Sequence, residues 1–261
     1  MTPHALAHPV VVARGVSKTY PNGVTGLADL SLSVDPGQFV AVLGPSGAGK
    51  TTLFRLCNGS IRPTQGALEV LGMSTAGIRG HQLRDLRRQV AVIYQNHNLV
   101  ASLSVLQNVL LGRLGAIPLI QGLRDAFAPP ARLQWRVYEL LEELGIGDKL
   151  RTRVDELSGG QQQRVAVARA LIQEPELLLA DEPVASVDRE TAIAILDLLS
   201  DVCRHQGTTV VVSLHQTEYV ERYCDRAIEL RGGRLAKSEA FSRNGASSPQ
   251  RQEVGRFAGA L

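Results

Sequence analysis

The chain has 261 residues, 44% of them hydrophobic and 20% charged, with a formal net charge of +3. That is enough apolar material for a sizeable core, and it suits one α/β domain carrying an inserted subdomain. The charge is small for the length and lacks the concentrated basic stripe of a nucleic-acid binder, so no nucleic-acid partner is expected.

The first elements are short strands. Val10, Val11 and Val12, then the alternating Leu30, Leu32 and Val34, read as strands of a β-rich flank reaching to about Ala67, with turns at Pro21-Asn22-Gly23 and Asp35-Pro36-Gly37. Phe39 to Leu43 is an apolar strand. It leads into Gly44-Pro45-Ser46-Gly47-Ala48-Gly49-Lys50-Thr51, a full match to the phosphate-loop pattern in the strand-to-helix setting that pattern requires. The glycines let the backbone approach a nucleotide, and successive amides and the helix N-terminus favour anionic oxygens. Lys50 reaches the β- and γ-phosphates, the Thr51 hydroxyl can bind Mg²⁺, and Thr52 continues the phosphate-facing turn.

Arg79, Arg84, Arg87 and Arg88, with Leu83 and Leu86 beneath them, read as the wet face of a short helix. From Gln95 to about Leu171 helical signals dominate. Leu133, Val137, Leu140, Leu141 and Leu144 share one face, with Gly145 placed to stop the helix; Trp135 is either core or contact surface, core being the default. The run Leu157-Ser158-Gly159-Gly160-Gln161 offers a hydroxyl and amides at a helix start, which is an anion site.

The pattern then returns to strand, helix, strand. Leu177 to Ala180 ends in Asp181-Glu182; a helix is expected around Ala192 to Val202 and a strand over Thr208 to Leu214. At the carboxyl edge of a parallel sheet, Asp181 would hold the magnesium shell and Glu182 could polarise the attacking water. From Ser238 onward the chain is rich in Ser, Gly, Arg and Gln and reads as loosely packed. Cys57, Cys203 and Cys224 are too scattered for a disulfide framework or zinc cluster and are expected to be buried thiols. No apolar stretch reaches the ~18 residues of a membrane span, and Met1 to Pro9 has no signal-peptide character, so a cytosolic location is expected.

Leu157 to Gln161, followed by Gln162-Gln163-Arg164, resembles the signature motif of the ATP-binding cassette family, and the resemblance spans most of the chain. It implies a phosphate-loop NTPase (RecA-like) α/β core with a β-rich flank and a helical insertion at about 96–171. The cassette domain would span 1–240, with a tail over 241–261. It further implies that Ser158, Gly159, Gly160 and Gln161 close over the γ-phosphate held by the loop of a second copy, giving a homodimer. In the same family order, Tyr20 resembles the aromatic residue that stacks on adenine and Gln95 the loop glutamine sensing the γ-phosphate and metal. Asp188 resembles the aspartate after the acidic strand, and His215 the switch histidine. The local run Ala185-Ser186-Val187-Asp188 differs from the common Ser-Ala-Leu-Asp, but the aspartate is kept.

Three functions compete: the energising subunit of a membrane importer, a soluble cassette ATPase acting on DNA or ribosomes, and an unrelated phosphate-loop kinase. A kinase has no use for the signature, and neither heptad repeats nor a second phosphate loop is present. An importer subunit is the expectation, with ATP and Mg²⁺, two transmembrane permease subunits, a separate solute-binding protein, and a seat on the cytoplasmic face of the inner membrane. The stretches Asn98 to Val109, Leu111 to Gly115, Leu179 to Ser186 and Ser213 to Gln216 resemble the phosphonate-import branch. The resemblance implies import of phosphonates, phosphite or hypophosphite, with phosphate, methionine or other amino acids as alternatives.

Overall fold

In the computed structural model, which describes residues 8–115 and 117–241, the chain opens with β1 (Val11–Thr19), β2 (Thr25–Val34), β3 (Phe39–Leu43) and α1 (Lys50–Cys57). Then come β4 (Gln65–Val70), β5 (Met73–Ser74), α2 (Gly80–Gln89) and β6 (Val90–Ile93). Four helices follow: α3 (Val105–Leu111), α4 (Leu119–Phe127), α5 (Ala131–Glu143) and α6 (Gly159–Leu171). The last part is β7 (Leu177–Ala180), α7 (Arg189–Gln206), β8 (Thr209–Ser213), α8 (Thr217–Tyr223), β9 (Arg226–Arg231) and β10 (Arg234–Ala240).

The strands form two sheets. A six-stranded sheet runs β10-β9-β3-β8-β7-β6, parallel except for the antiparallel edge strand β10, and a four-stranded antiparallel sheet runs β2-β1-β4-β5. Strand periodicity explains how the larger sheet is sandwiched. Phe39, Ala41, Leu178, Ala180, Val210 and Val212 join the core on the side of α3, α5, α6 and α7. The alternate residues Val40, Val42, Leu177, Leu179 and Val211 meet α1 and the small sheet. Both faces of the central strands are therefore buried, which is why they read as unbroken apolar runs. Fully buried leucines such as Leu30, Leu56 and Leu141 contribute ~1.5–3 kcal/mol each relative to exposure.

Three expectations are adjusted by the structure. Ser238 to Ala240 are not loose tail but the end of β10, paired with Ile228, Ala227 and Arg226; residues 242–261 lie outside the described residues. Trp135 is not core: it is 62% exposed and its indole N–H donates to Glu139 Oε1 at 2.9 Å. The core face of α5 is Leu133, Val137, Leu140 and Leu141, and a residue two positions after Leu133 points away from it. Helix α7 runs further at both ends than the apolar pattern indicates, because Asp188 caps its start through Thr191 and Gly207, at φ 75°, turns the chain at its end. Leu86 is buried beneath α2 while Arg84, Arg87 and Arg88 face outward, and the three cysteines are buried free thiols, as expected. No helix among the described residues is long and apolar enough to cross a membrane.

Candidate active site

The loop between β3 and α1 sits at the carboxyl edge of the parallel sheet. Gly44, Gly47 and Gly49 all have positive φ, and a Cβ on Gly44 would run into the Leu230 carbonyl, so the close approach to β9 requires glycine there. Pro45, Ser46 and Gly47 form the exposed rim, whereas Ala48, Gly49 and Lys50 are buried at the helix start. Lys50 Nζ donates to the carbonyls of Gly44 at 2.8 Å and Pro45 at 3.3 Å. Tyr20 shares a 3.1 Å hydrogen bond between its hydroxyl and Thr52 Oγ1, placing the ring against the first turn of α1.

Parallel pairing of β7 with β8 brings the acids to the same edge. The Thr51 hydroxyl donates to Asp181 Oδ2 at 2.7 Å. Glu182 is held from both sides: Gln95 Nε2 donates to Oε2 at 3.0 Å, and His215 Nε2 lies 2.8 Å from Oε1, with Lys50 Nζ 3.9 Å away. Glu182 also adopts φ 52°, a region that residues with a Cβ seldom occupy. Lys50, Thr51, Gln95, Asp181, Glu182 and His215 thus form one cluster. The Thr51 hydroxyl and Asp181 carboxylate, 2.7 Å apart, are oxygen donors of the kind a hard divalent cation such as Mg²⁺ accepts, and Gln95, whose Nε2 bonds Glu182, carries a third in its amide oxygen.

The signature residues are placed differently. Ser158 caps α6 by accepting from the Gln161 amide at 3.3 Å, and Gln161 Oε1 accepts from the Ser158 amide at 3.0 Å. No Cβ contact is found within 4 Å at Gly159. Among the described residues, no hydrogen bond or ion pair joins Ser158, Gly159, Gly160 or Gln161 to the phosphate loop or to Glu182. Asp188 gives both carboxylate oxygens to Thr191, and those donations from the Thr191 amide and hydroxyl hold its carboxyl below the usual carboxylate range.

Several residues that secure this arrangement carry no motif of their own. Gln163 and Arg164 stand within the signature run, yet their tasks emerge only in three dimensions. Gln163 Nε2 donates to Pro183 O at 2.7 Å; Arg164 bonds the Leu144 carbonyl and the Thr191 hydroxyl. Arg169 donates to the carbonyls of His97 and Asn98, at 2.6 Å each, bracing the segment after Gln95, although burial works against its charge. Buried Asn108 bonds Val100 in both directions. Arg169 lies outside every motif, and the resemblances that cover Gln163, Arg164 and Asn108 do not tell what these side chains bond.

A phosphate loop, an acid pair at the end of β7, one strand removed from β3, and a helix-capping signature together define a phosphate-loop nucleotide hydrolase. The comparisons narrow this: the ABC transporter family matches residues 27–185, and the chain belongs to that family. Its sequence is 40% identical to the phosphonates import ATP-binding protein PhnC 2 of Halalkalibacterium halodurans, over 87% of this chain and 92% of that one. It is 44% identical to the phosphite import ATP-binding protein PxtA of Stutzerimonas stutzeri, over 93% and 86% respectively. Among solved structures, a dimeric post-hydrolysis state of the ATP-binding cassette MJ0796 bound to ADP and Pi matches with TM-score 0.79 and 32% identity, covering 89% of this chain and 99% of that one. The cbiO1 protein of Clostridium perfringens, part of the cbiONQ transporter complex, matches with TM-score 0.75 and 27% identity over 89% and 88%.

Proposed function

We propose that the chain is the ATP-hydrolysing subunit of an importer for phosphonates or the related reduced phosphorus anions phosphite and hypophosphite. The observation that carries the catalytic half of this reading is the convergence of Gln95, His215 and Lys50 on Glu182. Kinship with proteins named for phosphonate and phosphite import supports the cargo half.

In this mechanism the loop amides and Lys50 hold the phosphates, and Tyr20 packs against the adenine. Thr51, Asp181 and Gln95 would hold Mg²⁺, which when bound offsets charge on the phosphate oxygens. Glu182 orients the attacking water and takes up proton density from it, while His215 hydrogen-bonds a γ-phosphate oxygen and steadies Glu182. The water oxygen bonds to the γ-phosphorus as the bond to the β–γ bridging oxygen breaks, giving ADP and phosphate. Ser158 and the amides of Gly159, Gly160 and Gln161 act on the nucleotide of a second copy, and Asp188 is assigned to the same nucleotide site. Among the described residues the signature makes no bond to its own phosphate loop, in keeping with a division of labour across a homodimer.

The cassette domain spans about 1–240 with its helical insertion at about 96–171. Two transmembrane permease subunits dock on that domain at the cytoplasmic face of the inner membrane, supplied by a solute-binding protein. A groove of about 320 Å³ runs from Thr51 and Asp181 past Phe54 and Arg55 to Tyr94 and Asn98, and its outer end beside α1 supports docking of a permease helix there. Deletion of the gene, in a strain without a duplicate cassette, should abolish growth on a phosphonate or phosphite as sole phosphorus source and spare growth on phosphate. Undiminished growth on all of these would refute the cargo assignment.

A further inference from the structure

Ser213, the last residue of β8, is fully buried beside the acid pair. Parallel pairing sets Leu179 opposite Val211 and Ala180 opposite Val212, so the next residues along, Asp181 and Ser213, meet at the sheet edge. The Ser213 hydroxyl donates to Asp181 Oδ1 at 3.0 Å and accepts the Glu182 amide N–H at 2.7 Å. The amide can only donate, so the hydroxyl's one hydrogen goes to Asp181 and one of its two lone pairs takes the Glu182 amide. Asp181 Oδ2 takes the Thr51 hydroxyl, so its carboxylate is fixed between two hydroxyls. The amide that Ser213 holds belongs to the residue at φ 52°, a backbone conformation that persists only where its surroundings over-determine it.

We propose that Ser213 is a positioning residue for ATP hydrolysis: one hydroxyl orients Asp181 towards the metal and fixes the peptide that aims Glu182. This rests on the reading of Asp181 as metal-holding and Glu182 as water-orienting. Alanine at 213 removes both bonds with little change in volume, leaving a buried carboxylate oxygen and a strained amide without that partner.

The test uses the full chain and two readouts. Ser213→Ala should lower turnover at saturating ATP and Mg²⁺ by at least ~10-fold. Titration with a fluorescent ATP analogue needs no turnover. There the strengthening of binding by Mg²⁺ should shrink by ~5-fold or more, with affinity in EDTA within about twofold of wild type. Ser213→Thr, which keeps the hydroxyl on a strand that suits β-branched residues, should stay within ~3-fold of wild type in both. Unchanged Mg²⁺ strengthening in Ser213→Ala overturns the proposal, as does an equal loss of affinity in EDTA, the mark of a merely structural defect. A Thr variant of normal melting temperature that is as impaired as the Ala variant also overturns it. Glu182→Gln separates the two readings: if it turns over normally, the reading of the acid pair fails, whereas an inactive Glu182→Gln beside a normal Ser213→Ala removes Ser213 alone.

Discussion

Gln163, in the helix that begins at the signature, donates its side-chain amide to the carbonyl of Pro183, immediately after Glu182, at 2.7 Å in the buried interior. The bond joins the element proposed to touch a second copy's nucleotide to the backbone that carries this chain's own acid. Gln163→Leu leaves the Pro183 carbonyl without that donor, at a cost of ~1–3 kcal/mol. The expected outcome is a lower melting temperature together with a fall in turnover larger than any fall in ATP affinity. A loss confined to stability would limit Gln163 to the core.

The acid pair is tested directly by Glu182→Gln. The amide preserves the volume but cannot take up the proton of the water, so ATP binding should persist while hydrolysis falls by at least ~100-fold. The ATP-bound dimer should also outlive that of the wild type, as seen by gel filtration. Near-normal turnover would remove Glu182 from the role.

Composite sites are tested by mixing two disabled chains. Ser158→Arg removes the cap of α6, worth ~1 kcal/mol, which should leave the monomer folded and able to bind nucleotide. It should abolish ATP-dependent dimerisation, and Lys50→Ala should instead weaken nucleotide binding itself. A mixture of the two pairs the intact loop of one with the intact signature of the other, so one site should still bind ATP. Failure of the mixture to bind above the level of the Ser158→Arg chain alone counts against sharing.

Helix α4 presents Leu119, Ile120, Leu123 and Phe127 to the outside, while its buried positions are Gly122, Asp125 and Ala126. Replacing Ile120 and Phe127 by serine should therefore change folding stability by no more than ~0.5 kcal/mol each, measured by denaturant titration. A loss of 2 kcal/mol or more would mean that the face is covered within the folded chain.

Burial pushes the Cys57 thiol up to about 12. The unfolded chain ionises at ordinary thiol pH and the folded chain does not, so this group favours folding below pH 9 and that contribution is lost progressively as pH rises towards 12. Alkylation of Cys57 in the native protein at pH 8 should require unfolding and proceed at least ~100-fold slower than in denaturant. Rapid labelling of the native chain would place the thiol at the surface.

Local pattern in the chain encodes the chemistry of the site. A glycine-rich turn between an apolar strand and a helix specifies a phosphate site through backbone geometry. Ser158 with Gln161 specifies a helix start, and four apolar residues ending in Asp181-Glu182 specify a buried strand with acids at its edge. Contacts between distant segments are legible only once the layers have packed. Strand pairing sets Ser213 beside Asp181, and packing of α6 brings Gln163 to Pro183 and Arg169 to the carbonyls after Gln95. Packing also turns Trp135 outward, because the apolar stripe that fixes the orientation of α5 excludes that position. Short-range pattern records which backbone conformation and surface a segment prefers; which polar group meets which is settled by how the layers pack, and one residue's neighbours in sequence do not carry that information.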